Sequence, residues 1–159
     1  MATNQDIQKL FRNILKHKFV GVYSLHRGIE KIKKLPENKC IILNTSCKMY
    51  GDGHFISVMR SNKGSMIIFD PLGEISLIRL LLQPVIKSFS KVYIYANKIQ
   101  HKNSEFCSLF CGAFLTAEFN EKGKNRIANF FKLFNYQETE LNDDIVRRYL
   151  ERYLLRRGV

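Results

Sequence analysis

The sequence predicts an α+β domain, and three observations carry the prediction. Short β-type runs cluster in the middle of the chain, amphipathic helical periods lie mainly outside that cluster, and Gly, Asn, Asp and Pro residues punctuate the boundaries. A length of 159 residues fits one domain with a sizeable core, so residues 1–159 are read as one unit. No internal repeat, low-complexity tract or flexible linker interrupts them.

Residues 6–18 carry Ile7, Leu10, Phe11, Ile14 and Leu15 at helical spacing with a basic opposite face, which predicts an amphipathic helix. Residues 19–25 are apolar and suit short extended structure, whereas 28–35 form a basic segment that stops at Pro36. A buried strand is expected at 40–45 and a turn at 46–53, which contains Gly51-Asp52-Gly53. Strands follow at 55–60 and 65–69, joined by the hairpin loop Ser61-Asn62-Lys63-Gly64. Residues 76–89 read as helix with a kink or break at Pro84. At 91–96, Val92, Ile94 and Ala96 alternate with Tyr93 and Tyr95, the pattern of a strand. Residues 108–119 form an apolar helix, and 125–133 and 143–157 both show helical spacing. The last has Asn142 as its expected N-cap, Asp143 and Asp144 in the first turn and arginines toward its end, in line with the helix dipole.

The formal net charge is +12. Such a surface attracts polyanions through counterion release, although a merely basic soluble domain has the same composition. Zinc-finger spacing, an aromatic RNA-binding signature and a helix-turn-helix are all missing, so DNA contact is expected through the phosphate backbone without sequence preference. No run approaches the roughly 18 apolar residues that span a bilayer, and the first residues lack a signal-peptide pattern. The expectation is a soluble, intracellular protein without membrane contact. Of the four cysteines, Cys107 and Cys111 lie one helical turn apart, where a disulfide would distort the helix; a reducing compartment fits better. Cys40, Cys47, His54, Cys107 and Cys111 are potential zinc ligands, yet no Cys-x-x-Cys or His-x-x-x-His pair occurs, so no metal is expected.

His54, Asp70, Gln100 and Cys107 occur in that order, each at the boundary of an expected element. Thiol-nucleophile chemistry needs a thiolate to attack a carbonyl, an imidazole to take and return the proton, a group that orients the imidazole, and donors for the oxyanion. Cys107 at an expected helix N-terminus, His54, Asp70 and Gln100 with the Cys107 amide suit these roles in turn. Each also has a plainer reading: Cys107 as a small core residue, His54 and Asp70-Pro71 as turn residues, and Gln100 as a solvated loop side chain. The order and the boundary positions together favour the chemical reading.

Residues 39–45, Gly53-His54-Phe55, Phe69-Asp70-Pro71-Leu72-Gly73, and Gln100 with Asn103-Ser104 and Cys107-Ser108-Leu109-Phe110-Cys111 resemble the adenovirus maturation protease family, the adenains. That family belongs to the wider clan of the SUMO-deconjugating Ulp proteases. The resemblance spans nearly the whole chain and is most specific at Gln100, seven residues before Cys107. It implies a central mixed β-sheet flanked by helices, with Cys107 at the N-terminus of a central helix. It also implies a viral cysteine endopeptidase that cleaves capsid and core precursor proteins at glycine-containing sites during virion maturation. His54, Asp70, Gln100 and Cys107 would be its catalytic residues. A monomer is expected, in the virion and the interior of the infected host cell, nucleus or cytoplasm.

Family members are stimulated by DNA and by a short viral peptide. No cofactor is required for the chemistry, and no cysteine lies between Cys47 and Cys107 where the family tethers that peptide, so a covalent peptide is not expected here and the alternatives are a noncovalent one or none. Two positions depart from the family pattern: Phe55 stands where tryptophan is usual, and Ser108 where glycine is usual. Cys111-Gly112 restores a Cys-Gly pair and makes Cys111 a competing nucleophile, but the Gln100 spacing favours Cys107. A deubiquitinase or SUMO/Ubl-deconjugating protease is the nearest alternative. A non-catalytic basic DNA-binding virion protein is the alternative from another class.

Overall fold

A computed structural model describes residues 3–45 and 54–156. The turn expected at 46–53, with Cys47, lies outside the described residues. The first helix, α1 (Asn4–Leu15), starts in a capping box: the Asp6 amide donates to Thr3 Oγ1 at 3.1 Å, and the Thr3 amide donates to Asp6 Oδ2 at 3.0 Å. Its buried stripe is Ile7, Phe11, Ile14 and Leu15, as the spacing predicts. A 3₁₀ turn (Lys16–Lys18) leads into β1 (Phe19–Ser24) and then α2 (Leu25–Lys33).

Helix α2 covers most of the segment that the sequence marks only as basic. Gly28 breaks its apolar period, and that glycine is required by contact: a Cβ there would stand 1.9 Å from Leu43 Cδ2. The strands β2 (Lys39–Asn44), β3 (Phe55–Arg60) and β4 (Met66–Phe69) fall where expected. Next come α3 (Ile75–Leu81) and α4 (Gln83–Ile86), separated at Leu82. Pro84 sits in the first turn of α4, where its missing N–H costs nothing, so it starts one helix by ending another. The remaining elements are β5 (Val92–Tyr95), α5 (Cys107–Asn120), α6 (Arg126–Phe131) and α7 (Asn142–Arg156).

The five strands form one mixed sheet in the order β1-β2-β3-β4-β5. The outer pairs β1–β2 and β4–β5 are parallel, while β2–β3 and β3–β4 are antiparallel. Asn44 pairs with Phe55 and Ser57 with Phe69, so the start of β3 and the ends of β2 and β4 meet at one end of the sheet. One face packs on α1, α5, α6 and α7 through Phe11, Phe69, Phe110, Phe114, Phe130 and Val146. The other packs on α2, α3 and α4 through Ile32, Ile41, Leu43, Val58, Ile78 and Val85.

Helix α5 is apolar on nearly every side and buried along most of its length, which makes it the axis of the larger core. It lies close to α1 because Gly112 has no side chain: a Cβ there would come within 1.8 Å of Phe11 Cζ. Alanine would gain about 1 kcal/mol of helix propensity at that position. Overpacking against a fully buried ring outweighs this, so Gly112→Ala is expected to destabilise the fold by about 1–3 kcal/mol. Urea titration reads the loss as a lower midpoint at unchanged slope.

Candidate active site

His54 immediately precedes β3, and its backbone is pinned from β2: the Thr45 amide and Thr45 Oγ1 both donate to the His54 carbonyl, at 2.9 and 3.1 Å. Asp70 immediately follows β4. Gly73 then turns the chain at φ +74, so close to the next segment that a Cβ would stand 2.9 Å from the Ala96 carbonyl oxygen. Inside this turn the Asp70 carboxylate accepts the Leu72 amide on Oδ1 at 2.9 Å and the Glu74 amide on Oδ2 at 3.0 Å. The same Oδ1 lies 3.0 Å from His54 Nε2. Asp70 is therefore both the turn initiator and the partner of the imidazole, two readings that the sequence leaves as alternatives.

Cys107 is the first residue of α5, and its Sγ lies 3.2 Å from His54 Nδ1. The Phe55 amide also donates to this sulfur, at 3.2 Å. Cys107 and Cys111 stand on one carbonyl, with their sulfurs 3.1 and 3.2 Å from the Phe55 oxygen. The result is a continuous chain from Cys111 through Cys107 and His54 to Asp70. Three of the four residues singled out in the sequence meet in it, and all four are buried: Asp70 is 0% exposed, Gln100 3%, and His54 and Cys107 4% each. Low exposure matters because it leaves the charges of the site weakly screened.

Burial alone would hold His54 neutral, but its hydrogen bonds with Asp70 and Cys107 and their negative charges outweigh that and raise its pKa to about 9. Burial likewise opposes a thiolate at Cys107. The hydrogen bonds from Cys111 and His54, the imidazolium charge and the Phe55 amide overcome it and lower the pKa to about 6. Cys111 moves the other way: burial and the neighbouring Cys107 push its thiol well above the ordinary value. The competing nucleophile thus keeps its proton and serves as a donor. Between about pH 6 and about pH 9 the pair holds an imidazolium and a thiolate.

Alkylation of Cys107 is accordingly expected to rise as the thiol loses its proton through about pH 6 and then to reach a plateau. In His54→Ala the midpoint should climb toward the ordinary thiol value near 8.5, which lowers the thiolate fraction at pH 7 by about 30-fold. Mass-spectrometric rate measurements with iodoacetamide check both statements.

Gln100 belongs to the segment that docks beside Asp70, since the Ile99 and Gln100 amides both donate to the Pro71 carbonyl at 3.0 Å. Its Nε2 donates to the Ser104 carbonyl at 3.1 Å, so its side-chain bond is made within its own loop and not with the triad. Ser104 Oγ in turn donates to Asp143 Oδ1 at 2.6 Å and accepts the Phe106 amide at 3.1 Å.

Asn142 is not the N-cap that its position in the sequence suggests. It is the first residue of α7, and its fully buried side chain is committed elsewhere. Its Nδ2 donates to the carbonyls of Ile99 and Asn135, both at 2.7 Å, and its Oδ1 accepts the Asn135 amide at 2.8 Å. The first turn of α7 therefore grips the Gln100 loop at Ile99 and again at Ser104. Asn142→Ala leaves these buried groups unmatched and is expected to cost about 2–4 kcal/mol. Amide hydrogen exchange at residues 99–106 should quicken in that variant.

Sequence reasoning missed the Phe55 amide and the Thr45 clamp because backbone donors and the pairing of two strands have no residue-type signature. Cys111 did carry a signal, its place one turn after Cys107. Among the described residues no group of three or more His, Cys, Asp or Glu side chains is placed to hold a metal ion. No helix among them is long and apolar enough to cross a membrane.

No family model matches this chain, and no curated protein matches it. Among solved structures it is similar to the central domain of Lpg1148, an uncharacterized protein from Legionella pneumophila, with a TM-score of 0.54 and 15% identity over 97% of this chain and 98% of that one. A likeness at that identity is one of fold. It supports, across nearly the full length, an α+β architecture with a central mixed sheet flanked by helices.

Proposed function

We propose that this chain is a cysteine endopeptidase of the adenain type. The observation that carries the reading is the relay at the sheet end: Cys107 Sγ at a helix start, 3.2 Å from His54 Nδ1, with His54 Nε2 3.0 Å from the buried Asp70 carboxylate. In this reading the Cys107 thiolate attacks the scissile carbonyl, and the His54 imidazolium gives its proton to the leaving amine. Neutral His54 then takes a proton from water, which releases the acyl group from the sulfur. Asp70 keeps the imidazole oriented and stabilises its charged form.

Gln100 Nε2 has two N–H bonds; the one to the Ser104 carbonyl holds the carboxamide within its loop, and in this reading the other serves as an oxyanion donor together with the Cys107 amide. One such donor contributes about 2.7–4 kcal/mol to transition-state stabilisation in enzymes of this logic. The substrates in this reading are viral capsid and core precursors cut at glycine-containing sites within a virion. Sequence-independent DNA and a noncovalent viral peptide act as stimulators, and the net charge of +12 supports the first of these.

The test offers the purified protein glycine-containing precursor peptides together with vinyl sulfone probes built on ubiquitin and SUMO. Cleavage of the peptides that is lost in Cys107→Ala supports maturation-type proteolysis. Selective labelling by the modifier probes would instead assign the same thiol chemistry to deconjugation. A Cys107 that neither cleaves, labels, nor alkylates faster than an ordinary thiol at pH 7 would overturn the reading.

A further inference from the structure

The proposed cleavage reaction uses one sulfur, yet the site holds two. Cys111 is wholly buried, its sulfur lies 3.2 Å from the Phe55 carbonyl oxygen that Cys107 approaches at 3.1 Å, and the two thiols are hydrogen-bonded to each other. Hydrogen bonding to an attacking thiolate accounts for Cys111 in the reduced protein. It also sets a second thiol against whatever Cys107 becomes when it is oxidised. We propose that Cys107 and Cys111 form a reversible disulfide when the protein meets a hydroperoxide, with Cys107 as the sulfur that is oxidised and Cys111 as the sulfur that resolves it.

The chemistry balances in two steps. The Cys107 thiolate attacks the outer peroxide oxygen, the O–O bond breaks, and the departing alkoxide or hydroxide takes the proton from the His54 imidazolium; Cys107 is left as a sulfenic acid. The Cys111 sulfur then attacks the Cys107 sulfur, the S–O bond breaks, and the oxygen leaves as water with the Cys111 proton. Two thiols are oxidised, one hydroperoxide is reduced, and a dithiol reductant reverses the change by exchange. Site selectivity follows from the same contacts. Cys40 is equally buried, but its sulfur faces the Lys18 carbonyl, and burial raises its thiol far above the ordinary range.

Geometry permits the bond at a local cost. Residues one turn apart on a helix have Cα atoms roughly 6 Å apart, inside the span a disulfide tolerates, but their Cβ atoms must come closer than a regular helix allows. Cys107 is the first residue of α5, so only the opening turn has to unwind while the buried remainder stays in place. That unwinding draws the Cys107 sulfur off His54. The oxidised form is therefore unreactive toward alkylating agents and substrate alike, and it shields Cys107 from irreversible oxidation.

The experiment treats the full chain with hydrogen peroxide, blocks the remaining thiols in denaturant, and reads the tryptic peptide of residues 103–122, which carries both cysteines without an internal Lys or Arg. The expected product is that peptide lighter by two hydrogen atoms, with alkylation of Cys107 restored after dithiothreitol. In Cys111→Ser, and in Cys111→Ala as a second variant, the sulfenic acid has no resolving thiol, so the peptide should instead gain two or three oxygens at Cys107, as sulfinic or sulfonic acid, and stay unreactive after the reductant. A wild-type peptide that gains two or three oxygens with no lighter species would overturn the proposal. So would a bridge to the peptide of residues 40–48. The readout is a mass and needs no cleavage of any substrate, so its failure is distinct from failure of the protease reading.

Discussion

Cys107→Ala is expected to abolish thiol-dependent cleavage, a loss of about 10⁴-fold or more, at a modest cost to the fold. The attacking atom is gone, and nothing nearby replaces it: Cys111 keeps its proton and is wholly buried. The cost to folding, about 1–3 kcal/mol, comes from the buried Phe55 amide, which loses the sulfur it donates to, while His54 is still held by Asp70 at 3.0 Å. Cys107→Ser separates geometry from chemistry, since it preserves the contacts with His54 and Phe55 but cannot supply a thiolate. Cleavage rates with circular dichroism melts on the same samples check the pair. A variant that retains more than a few per cent of activity would move the chemistry away from this residue.

Asp70→Ala is expected to strike both stability and reactivity. The carboxylate is fully buried and receives the Leu72 and Glu74 amides as well as the imidazole. Its removal leaves those donors without an acceptor, at a cost of about 2–4 kcal/mol, and slackens the turn at Gly73 that ends β4. The effect on titration has a definite sign. With the carboxylate gone, burial acts on His54 with less opposition, so its pKa falls from about 9; the weaker imidazolium in turn lets the Cys107 value rise from about 6. The reactive window therefore narrows from both sides. Asp70→Asn keeps the shape better but offers one acceptor oxygen in place of two and does not balance the imidazolium, so a loss of about 10²–10⁴ in turnover is expected with a smaller change in stability. Alkylation profiles across pH, set beside urea midpoints, distinguish the two variants.

Much of this site is legible in the amino-acid order because each side chain stands where a regular element stops. A strand run that begins after His54 and another that ends at Asp70, with a short Gly-bearing loop between, fold back so that both residues meet at one end of a hairpin. The helix that begins at Cys107 is visible as a polar stretch running into an apolar one. Gln100 is recognisable only through its spacing to Cys107, and its hydrogen bond to Ser104 follows from how its loop closes. Helix α2 is hidden by Gly28, whose reason lies in Leu43 on a neighbouring strand. Asn142 misleads because a residue suited to capping its own helix is also suited to bonding distant carbonyls, and sequence order does not separate the two uses. Long-range partners of this kind are outside the reach of local periodicity.

The grip of α7 on the Gln100 loop has a consequence for the order in which the molecule matures. Ile99 and the side chain that holds it are 43 residues apart, and Ser104 and Asp143 are 39 apart. Nucleophile and base are thus synthesised well before the clasp that completes their surroundings. The segment that carries Cys107 therefore leaves the ribosome before its loop is held by Asn142 and Asp143, and the arrangement around the sulfur is complete only once α7 has docked.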